Sequence, residues 1–470
     1  MAIRLNVCSL SSIAREPSLR YDINYLFCDA LFPTGEYYTF SELFEIVIDD
    51  GVNIDDLKQF YYVEIGDISS TEDVSPVSLN IDERDELNEN YFKKIEKGDI
   101  IKARKGDILI SKVRPYLKKM VLIDENNEDY YYTNAFIHVR PKVETKLLFY
   151  ALKSVYNEQL NAIARQGKGY PTLNEKDLAQ LKFPKHSIDS LIGNTALLSR
   201  ICDIEMQIAA SKQKRKTEVE IINDAFLSSF HWDVSSFYNK TNTRRYSIEF
   251  SAFSDNYDLR FSPKFHRPAG RFVLNDLQKS ECLRVKNFLS EPITLGASVS
   301  PSDFDPNGDC YYISMATVKN SKVELDDSQL LSKEYVSIPK NSAKSVRKGD
   351  IIMTRSGAAI GKFAMVNEDI NAIHADFTMR IRLKNVDKLF AYYYFRSLYF
   401  QYLIEVNYKG LQNNNIFPNQ VQELPFPNAS KEKQASIVNT IKAEMQYQEE
   451  LQNEIQTKRN SIDALIKEAI

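Results

Sequence analysis

The sequence repeats itself at a fixed distance, and the repeat restricts the folds open to it more than any other feature. Lys105-Gly106-Asp107-Ile108-Leu109-Ile110 returns as Lys348-Gly349-Asp350-Ile351-Ile352-Met353, 243 positions later. Each copy reads as a Gly-Asp turn feeding a buried strand. Leu181-Lys182-Phe183-Pro184 returns at the same 243 as Leu424-Pro425-Phe426-Pro427, a strand with a proline stop. Looser echoes fill the space between. Tyr61-Tyr62-Val63-Glu64-Ile65 pairs with Tyr311-Tyr312-Ile313-Ser314-Met315, and aromatic helices recur around Leu147–Tyr156 and Phe390–Tyr402. Leu19-Arg20-Tyr21, with Tyr25 and Phe32-Pro33, has its counterpart in Leu259-Arg260-Phe261, with Phe265 and Arg267-Pro268. A period this long means one domain duplicated whole, not a solenoid.

Each copy runs into a long helical stretch. From Ser187 to about Phe226, Leu197, Ile201, Ile204 and Ile208 recur at steps of four and three, and neither Pro nor Gly intervenes after Gly193. Roughly forty helical residues at about 1.5 Å each would span about 60 Å, too long for a small domain to enclose. The second run, Ser430 to Ile470, aligns with the first at 243: Leu198 with Ile441, Cys202 with Met445, Ile208 with Leu451, Val219 with Ile462, Ile222 with Leu465. Arg215 and Lys458 interrupt the apolar seams, so the expectation is a short antiparallel or crossing coiled coil. Two unrelated amphipathic helices, each capping its own domain, are the alternative. The fold class expected is mixed α/β: two similar α/β domains (1–186 and 231–429) separated by two long helices (187–230 and 430–470) that pack as a coiled-coil spacer with pseudo-two-fold symmetry.

Composition narrows the function by exclusion. The 470 residues carry a net charge of −4 and contain no apolar run long enough to span a membrane. With no basic, apolar leader over Met1–Ser12, a cytoplasmic protein without a membrane partner is expected. Five cysteines without a C-x-x-C spacing argue against a disulfide framework or a zinc site, and the five histidines show no H-x-x-x-H or H-E-x-x-H pattern. Gly357-Ala358-Ala359-Ile360-Gly361-Lys362-Phe363 superficially suggests a Walker loop. It fails because three residues, not four, separate the glycines and Phe363 stands where Ser or Thr must reach magnesium. No catalytic, metal or cofactor residue is assigned, and Asp107 and Asp350 read as structural members of their turns.

Two basic loops point elsewhere. From Lys102 to Lys119 seven cations face one acid, Asp107, and Lys344, Arg347, Lys348, Arg355 and Lys362 repeat the pattern around Asp350. Lys112, Arg114, Tyr116, Lys118 and Lys119 leave the first repeated strand; Arg355 and Lys362 leave the second. A polar, glycine-bearing loop follows in each copy, with Gln166 and Lys168 in the first and Lys409, Gln412 and Asn413 in the second. Cations against phosphates, with amide and guanidinium groups able to pair with base edges, are what sequence-specific DNA binding requires. These twelve are the candidate DNA-binding residues. A duplicated catalytic domain, or a coiled-coil scaffold that binds no DNA, would be the rival.

At this point the residues resemble the specificity subunit of type I restriction-modification systems. The likeness rests on the Lys-Gly-Asp strand starts at 105 and 348 and on the Phe-Pro exits at 183 and 426. Lys431-Glu432-Lys433-Gln434-Ala435-Ser436-Ile437 is also similar to the family's Glu-x-x-Gln-x-x-Ile helix opening; Asp189-Ser190-Leu191-Ile192 departs from it by lacking the glutamine. The resemblance covers essentially the whole chain. It implies two target-recognition domains that each read one half of a bipartite double-stranded DNA site, with the helices setting the unread spacer. It also implies two methyltransferase subunits and two motor-endonuclease subunits as partners, bringing S-adenosylmethionine, ATP and magnesium, while this chain is not itself an enzyme. A solitary subunit that redirects another system's catalytic subunits is the variant of that reading.

Overall fold

The computed structural model describes residues 31–48, 52, 58–69, 73–82, 88–143, 145–166, 169–243, 245–254, 262–319, 322–326, 328–410 and 414–470. Of the proposed entry segments, Leu19-Arg20-Tyr21, Tyr25 and Leu259-Arg260-Phe261 lie outside them. The described residues form two compact units: those up to Lys214 together with Leu451–Ile470, and Arg215–Glu450.

In the first unit the strands are β1 (Tyr37–Thr39), β2 (Phe44–Ile46), β3 (Gln59–Val63), β4 (Val77–Asn80), β5 (Ile108–Ser111), β6 (Met120–Leu122), β7 (Tyr131–Tyr132), β8 (Phe136–Pro141), β9 (Arg165–Gln166), β10 (Pro171–Thr172) and β11 (Lys182–Pro184). One sheet has the order β2-β8-β5-β6, a second β4-β3-β7, and β1 pairs with β11. In the second unit β12 (Cys282–Arg284), β13 (Thr294–Leu295), β14 (Cys310–Ile313), β15 (Val318–Lys319), β16 (Lys322–Val323), β17 (Leu330–Leu331), β18 (Ile351–Thr354), β19 (Phe363–Met365), β20 (Ala372–His374), β21 (Thr378–Ile381) and β22 (Pro425–Pro427) follow. Their orders are β13-β21-β18-β19-β16-β15, β17-β14-β20 and β12-β22. Strand for strand, β2, β8, β5, β6 of the first copy are β13, β21, β18, β19 of the second. The repeated Tyr-Tyr strands, β3 and β14, each lie parallel to a short strand, β7 and β20.

The repeat reaches down to single ion pairs. Asp107 and Asp350 are 1% and 2% exposed, and each is held by an arginine on the neighbouring strand: Arg140 at 2.7 and 3.0 Å, Arg382 at 2.7 and 2.7 Å. Each aspartate also accepts the backbone N–H three residues before it, from Arg104 and Arg347. Burial works against the Asp107 carboxylate, but His138 and Arg140 outweigh it and hold its pKa at about 2. The structural role read for both aspartates is the one they occupy.

Behind each sheet lie paired helices: α1 (Thr145–Ser154) and α2 (Asn157–Ile163) in the first unit, and later in the chain the aromatic pair of the second. The run from Ser187 is the point at which expectation and structure part. It is three helices, α3 (Lys185–Leu191), α4 (Thr195–Gln213) and α5 (Glu218–Phe230), and not one. Gly193 at φ +74 turns the chain between the first two. Between the last two, Thr217 and Glu220 form a capping box: the Thr217 N–H donates to the Glu220 carboxylate at 2.7 Å, and the Glu220 N–H to the Thr217 hydroxyl at 3.3 Å. After α5 come α6 (Lys388–Phe395) and α7 (Leu398–Asn407), which pack as α1 and α2 do. The second run is one unbroken helix, α8, Lys431–Ala469.

Within each unit the facing helices run antiparallel. In the first, Leu197, Ile201 and Ile208 of α4 share a core with Ile455, Ile462 and Ile466 of α8, and Ser211 reaches Glu454 at 3.4 Å. In the second, Ile221, Ile222 and Phe226 of α5 share a core with Ile437, Val438 and Ile441, and the Lys216 N–H donates to Gln448 at 2.9 Å. Four pairs of buried positions in the two runs keep step at 240, Leu197 with Ile437, Ile201 with Ile441, Ile222 with Ile462 and Phe226 with Ile466, while Ile208 and Leu451, also buried, keep the 243. Val219, aligned with Ile462 from the sequence, is 48% exposed. The extra turn at Ile192–Asn194 uses three residues that the second copy does not have. Gln434 shows what the glutamine of the second helix opening does. It is buried, accepts the Asp387 N–H at 2.8 Å and donates to the Ala429 carbonyl at 2.7 Å, tying α8 to the start of α6.

A buried histidine gives the second unit an acid sensitivity. His374 is 0% exposed, its Nδ1 lies 3.1 Å from the Thr378 hydroxyl, and its Nε2 has no partner among the described residues. Burial, with Arg380, Lys344 and Arg382 nearby, pushes its pKa down to about 3. The imidazole is neutral in the fold but free to take a proton once unfolded, so its contribution is complete above the ordinary value of about 6.5. Stability is lost as the pH falls from there toward 3. Between pH 6.5 and 5 the loss should be about 1.5 kcal/mol, and urea titrations of the wild type and His374→Gln, with the variant flat over that range, check it.

Candidate nucleic-acid interface

In both units the loop that leaves the central strand is clamped to the second polar loop by the same backbone bonds. In the first, the Arg114 N–H donates to the Pro171 carbonyl at 2.9 Å and the Leu173 N–H to the Lys112 carbonyl at 2.7 Å. In the second, the Gly357 N–H donates to Asn414 at 3.0 Å and the Ile416 N–H to Arg355 at 3.0 Å. All four partners are related by the 243 offset. Leu173 and Ile416, each buried, anchor the clamp from below. Two segments some fifty residues apart in sequence thus form one exposed edge in each copy.

The loop backbones match even where the residues do not. Arg114 and Lys118 adopt left-handed conformations, φ +50 and +53, and the positions 243 later are Gly357 and Gly361, φ +67 and +84. The glycine pair that imitates a Walker loop is therefore the second copy of this turn. It opens with a single turn of 3₁₀ helix, Gly357–Ala359, as the first copy does at Pro115–Leu117. A left-handed non-glycine residue costs about 1–2 kcal/mol, and such residues collect at functional sites.

Side chains on this edge fall into two groups. Lys112 pairs with Glu175 at 2.9 Å, and Lys119 donates to the Ile65 carbonyl at 2.8 Å, so both are tied to the scaffold. Burial opposes the Glu175 charge, yet the Lys112 ammonium holds its carboxyl below the usual range. Lys102 is half-buried over the Tyr131 ring and Lys105 pairs with Glu125, which breaks up the continuous positive edge expected from Lys102 to Lys119. Arg114, Tyr116 and Lys118 are exposed, as are Lys362 and Lys409 in the second unit. Lys168, Gln412 and Asn413, and the side chain of Gln166, lie outside the described residues. Sequence reasoning passed over two aromatic residues. The Arg114 guanidinium lies 5.0 Å from the centroid of Tyr170, and that of Arg355 lies 5.4 Å from the centroid of Phe417. Tyr170 and Phe417 are 44% and 40% exposed. Exposed aromatic residues in the polar loops were the available signal. Among the described residues there is no cluster of His, Cys, Asp or Glu able to hold a metal ion.

Residues 292–458 match the family model of the type I restriction modification DNA specificity domain. Over those residues the chain is similar to such a specificity domain. The match begins just before β13 and ends within α8, so it contains the clamped loops and the Arg355–Phe417 pair. The strand order and loop clamp of the matched region recur in the first unit, of which the family model reaches only residues 451–458. Among solved structures, the chain is similar to one described as showing complex assembly and conformational transition of the type I R-M system, at 15% identity with TM-score 0.47, over 93% of this chain and 98% of that one. It is similar to the HsdS subunit from Thermoanaerobacter tengcongensis at 17% identity and TM-score 0.34, over 93% and 97%. The S subunit of the type I restriction-modification system from M. genitalium follows at 12% and 0.37, over 93% and 96%. No curated protein matches the sequence. The likeness to the specificity domain rests on the family model.

Proposed function

We propose that the chain is the specificity subunit of a type I restriction-modification complex, with one half of a two-part DNA target read by each unit. The observation that carries the reading is the loop clamp. It is built twice from unlike sequences, once inside the specificity domain, and in both copies it presents a guanidinium on an aromatic ring. Loops that keep one backbone while their side chains differ suit a pair of sites that read different bases. Phosphate contacts would come from the exposed lysines, Lys118, Lys362 and Lys409, which fix the register without carrying sequence information. The helices α4, α5 and α8 would set the unread spacer and provide the surface on which two methyltransferase subunits dock. S-adenosylmethionine would come with those subunits, ATP and magnesium with two motor-endonuclease subunits, and this chain would catalyse nothing.

Co-expression with candidate methyltransferase subunits, followed by methylation mapping of the host DNA, tests the proposal. A stable complex and a methylated two-part motif with a fixed gap are expected. A chain that purifies alone, binds no duplex at low salt and leaves methylation unchanged would overturn it.

A further inference from the structure

We infer that Arg114 on Tyr170 and Arg355 on Phe417 are the specificity-determining pairs of the two domains, each guanidinium held by its ring to face the paired acceptors of a guanine. The inference rests on the specificity-subunit reading and goes beyond it in naming the residues. Its first support is the contrast with the arginines that the fold ties to carboxylates. Arg140, Arg165, Arg284, Arg382 and Arg396 are each bound to a carboxylate that fixes the fold. Among the described residues, Arg114 and Arg355 have no carboxylate partner, and the Nε of Arg355 is buried with no hydrogen-bond partner. Stacking on a ring orients the planar guanidinium and leaves its edge donors for two acceptors at once.

The second support is backbone strain. The second copy shows that glycine satisfies the position of Arg114, at Gly357, so nothing in the loop's geometry calls for an arginine there. Arginine is nevertheless held in a left-handed conformation, at the edge, over an exposed tyrosine. The two pairs are also built from different loop positions. Arg355 is the counterpart of Lys112, not of Arg114, so the guanidinium enters each domain's edge at a different point. Two domains with one scaffold would then read guanines at unlike positions in their half-sites. Tyr170 and Phe417 are positioning residues.

The test uses the full chain co-expressed with methyltransferase subunits, with the methylated motif mapped for each variant. Arg114→Gly should keep a two-part motif but lose on the order of ten- to a hundredfold discrimination at one position of one half. Its melting temperature should rise, because the glycine fits the left-handed backbone. Arg355→Gln should relax one position of the other half only. Tyr170→Ala should relax the same position as Arg114→Gly, and Tyr170→Phe should restore it, an outcome that a purely structural tyrosine would not give. An unchanged motif for Arg114→Gly, equal weakening at every position, or a lower melting temperature would overturn the inference. If the unaltered chain directs no two-part motif, the specificity-subunit reading fails and takes this inference with it; a wild-type motif with unaffected variants sinks the inference alone.

Discussion

Replacing Ile466 by Asp is expected to unfold the first unit while the second stays folded. Ile466 is 0% exposed in a core that also contains Leu197, Ile201, Ile455 and Ile462. An aspartate there loses an isoleucine's burial, about 2–3 kcal/mol, and must also be desolvated or protonated without a partner, a penalty of several kcal/mol more. Together these reach the range of a whole domain's stability, about 5–15 kcal/mol. The substitution is far in sequence from everything it would disrupt. Hydrogen exchange with proteolytic peptides reads it: amides of β5 and β8 should lose protection while those of β18 and β21 keep theirs. Protection lost equally in both units, or in neither, would contradict the division of α8 between two cores.

Asp107→Ala should cost about 3–5 kcal/mol, the range for removing one member of a buried ion pair. It removes the carboxylate that His138, almost fully buried, and Arg140 share, and it releases the Arg104 N–H. Asp350→Ala should cost a similar amount through Arg382, which also reaches Glu291. The Asp107 carboxylate's contribution has a definite pH window. Its folded pKa of about 2 lies below the ordinary carboxylate value, so the contribution is complete above about pH 4 and is lost as the pH falls toward 2. Denaturant titrations of wild type and Asp107→Ala at pH 7 and pH 2.5 should therefore show a gap smaller by about 1.5 kcal/mol at the lower pH; a gap unchanged between the two would remove the charge from the explanation.

Much of this architecture was legible because duplication supplies an internal control. Lys105-Gly106-Asp107 and Lys348-Gly349-Asp350 appear twice because each aspartate must meet an arginine one strand away, and so two copies of the sequence mark one tertiary contact. The partners, Arg140 and Arg382, were not legible, since they lie 242 apart and outside any local motif. The break at Lys214–Thr217 was missed although Thr217-x-x-Glu220 is a capping box, because the apolar periodicity continues across it. Around the clamped loops the sequence does not tell which cations the fold itself holds. In the sequence Lys112, Lys118 and Lys119 are alike, and only the fold shows that Glu175 pairs with Lys112 and the Ile65 carbonyl with Lys119. Tyr170 and Phe417 were passed over for the same reason, since an aromatic residue in a polar loop gains meaning only from what lies across from it.

The split membership of α8 fixes an order of assembly. The second unit is contiguous from Arg215 to Glu450 and is fully synthesised before Leu451. The first unit begins earlier but needs Leu451–Ile470, whose last carbonyls accept hydroxyls from Ser187 and Ser190. A growing chain thus has its later domain complete first, while the core of its earlier one lacks Ile455, Ile462 and Ile466 until a strap some 240 residues further on is made. Until then Leu197, Ile201 and Ile208 lack their cover, an apolar stripe of the kind that chaperones hold and that neighbouring nascent chains can capture.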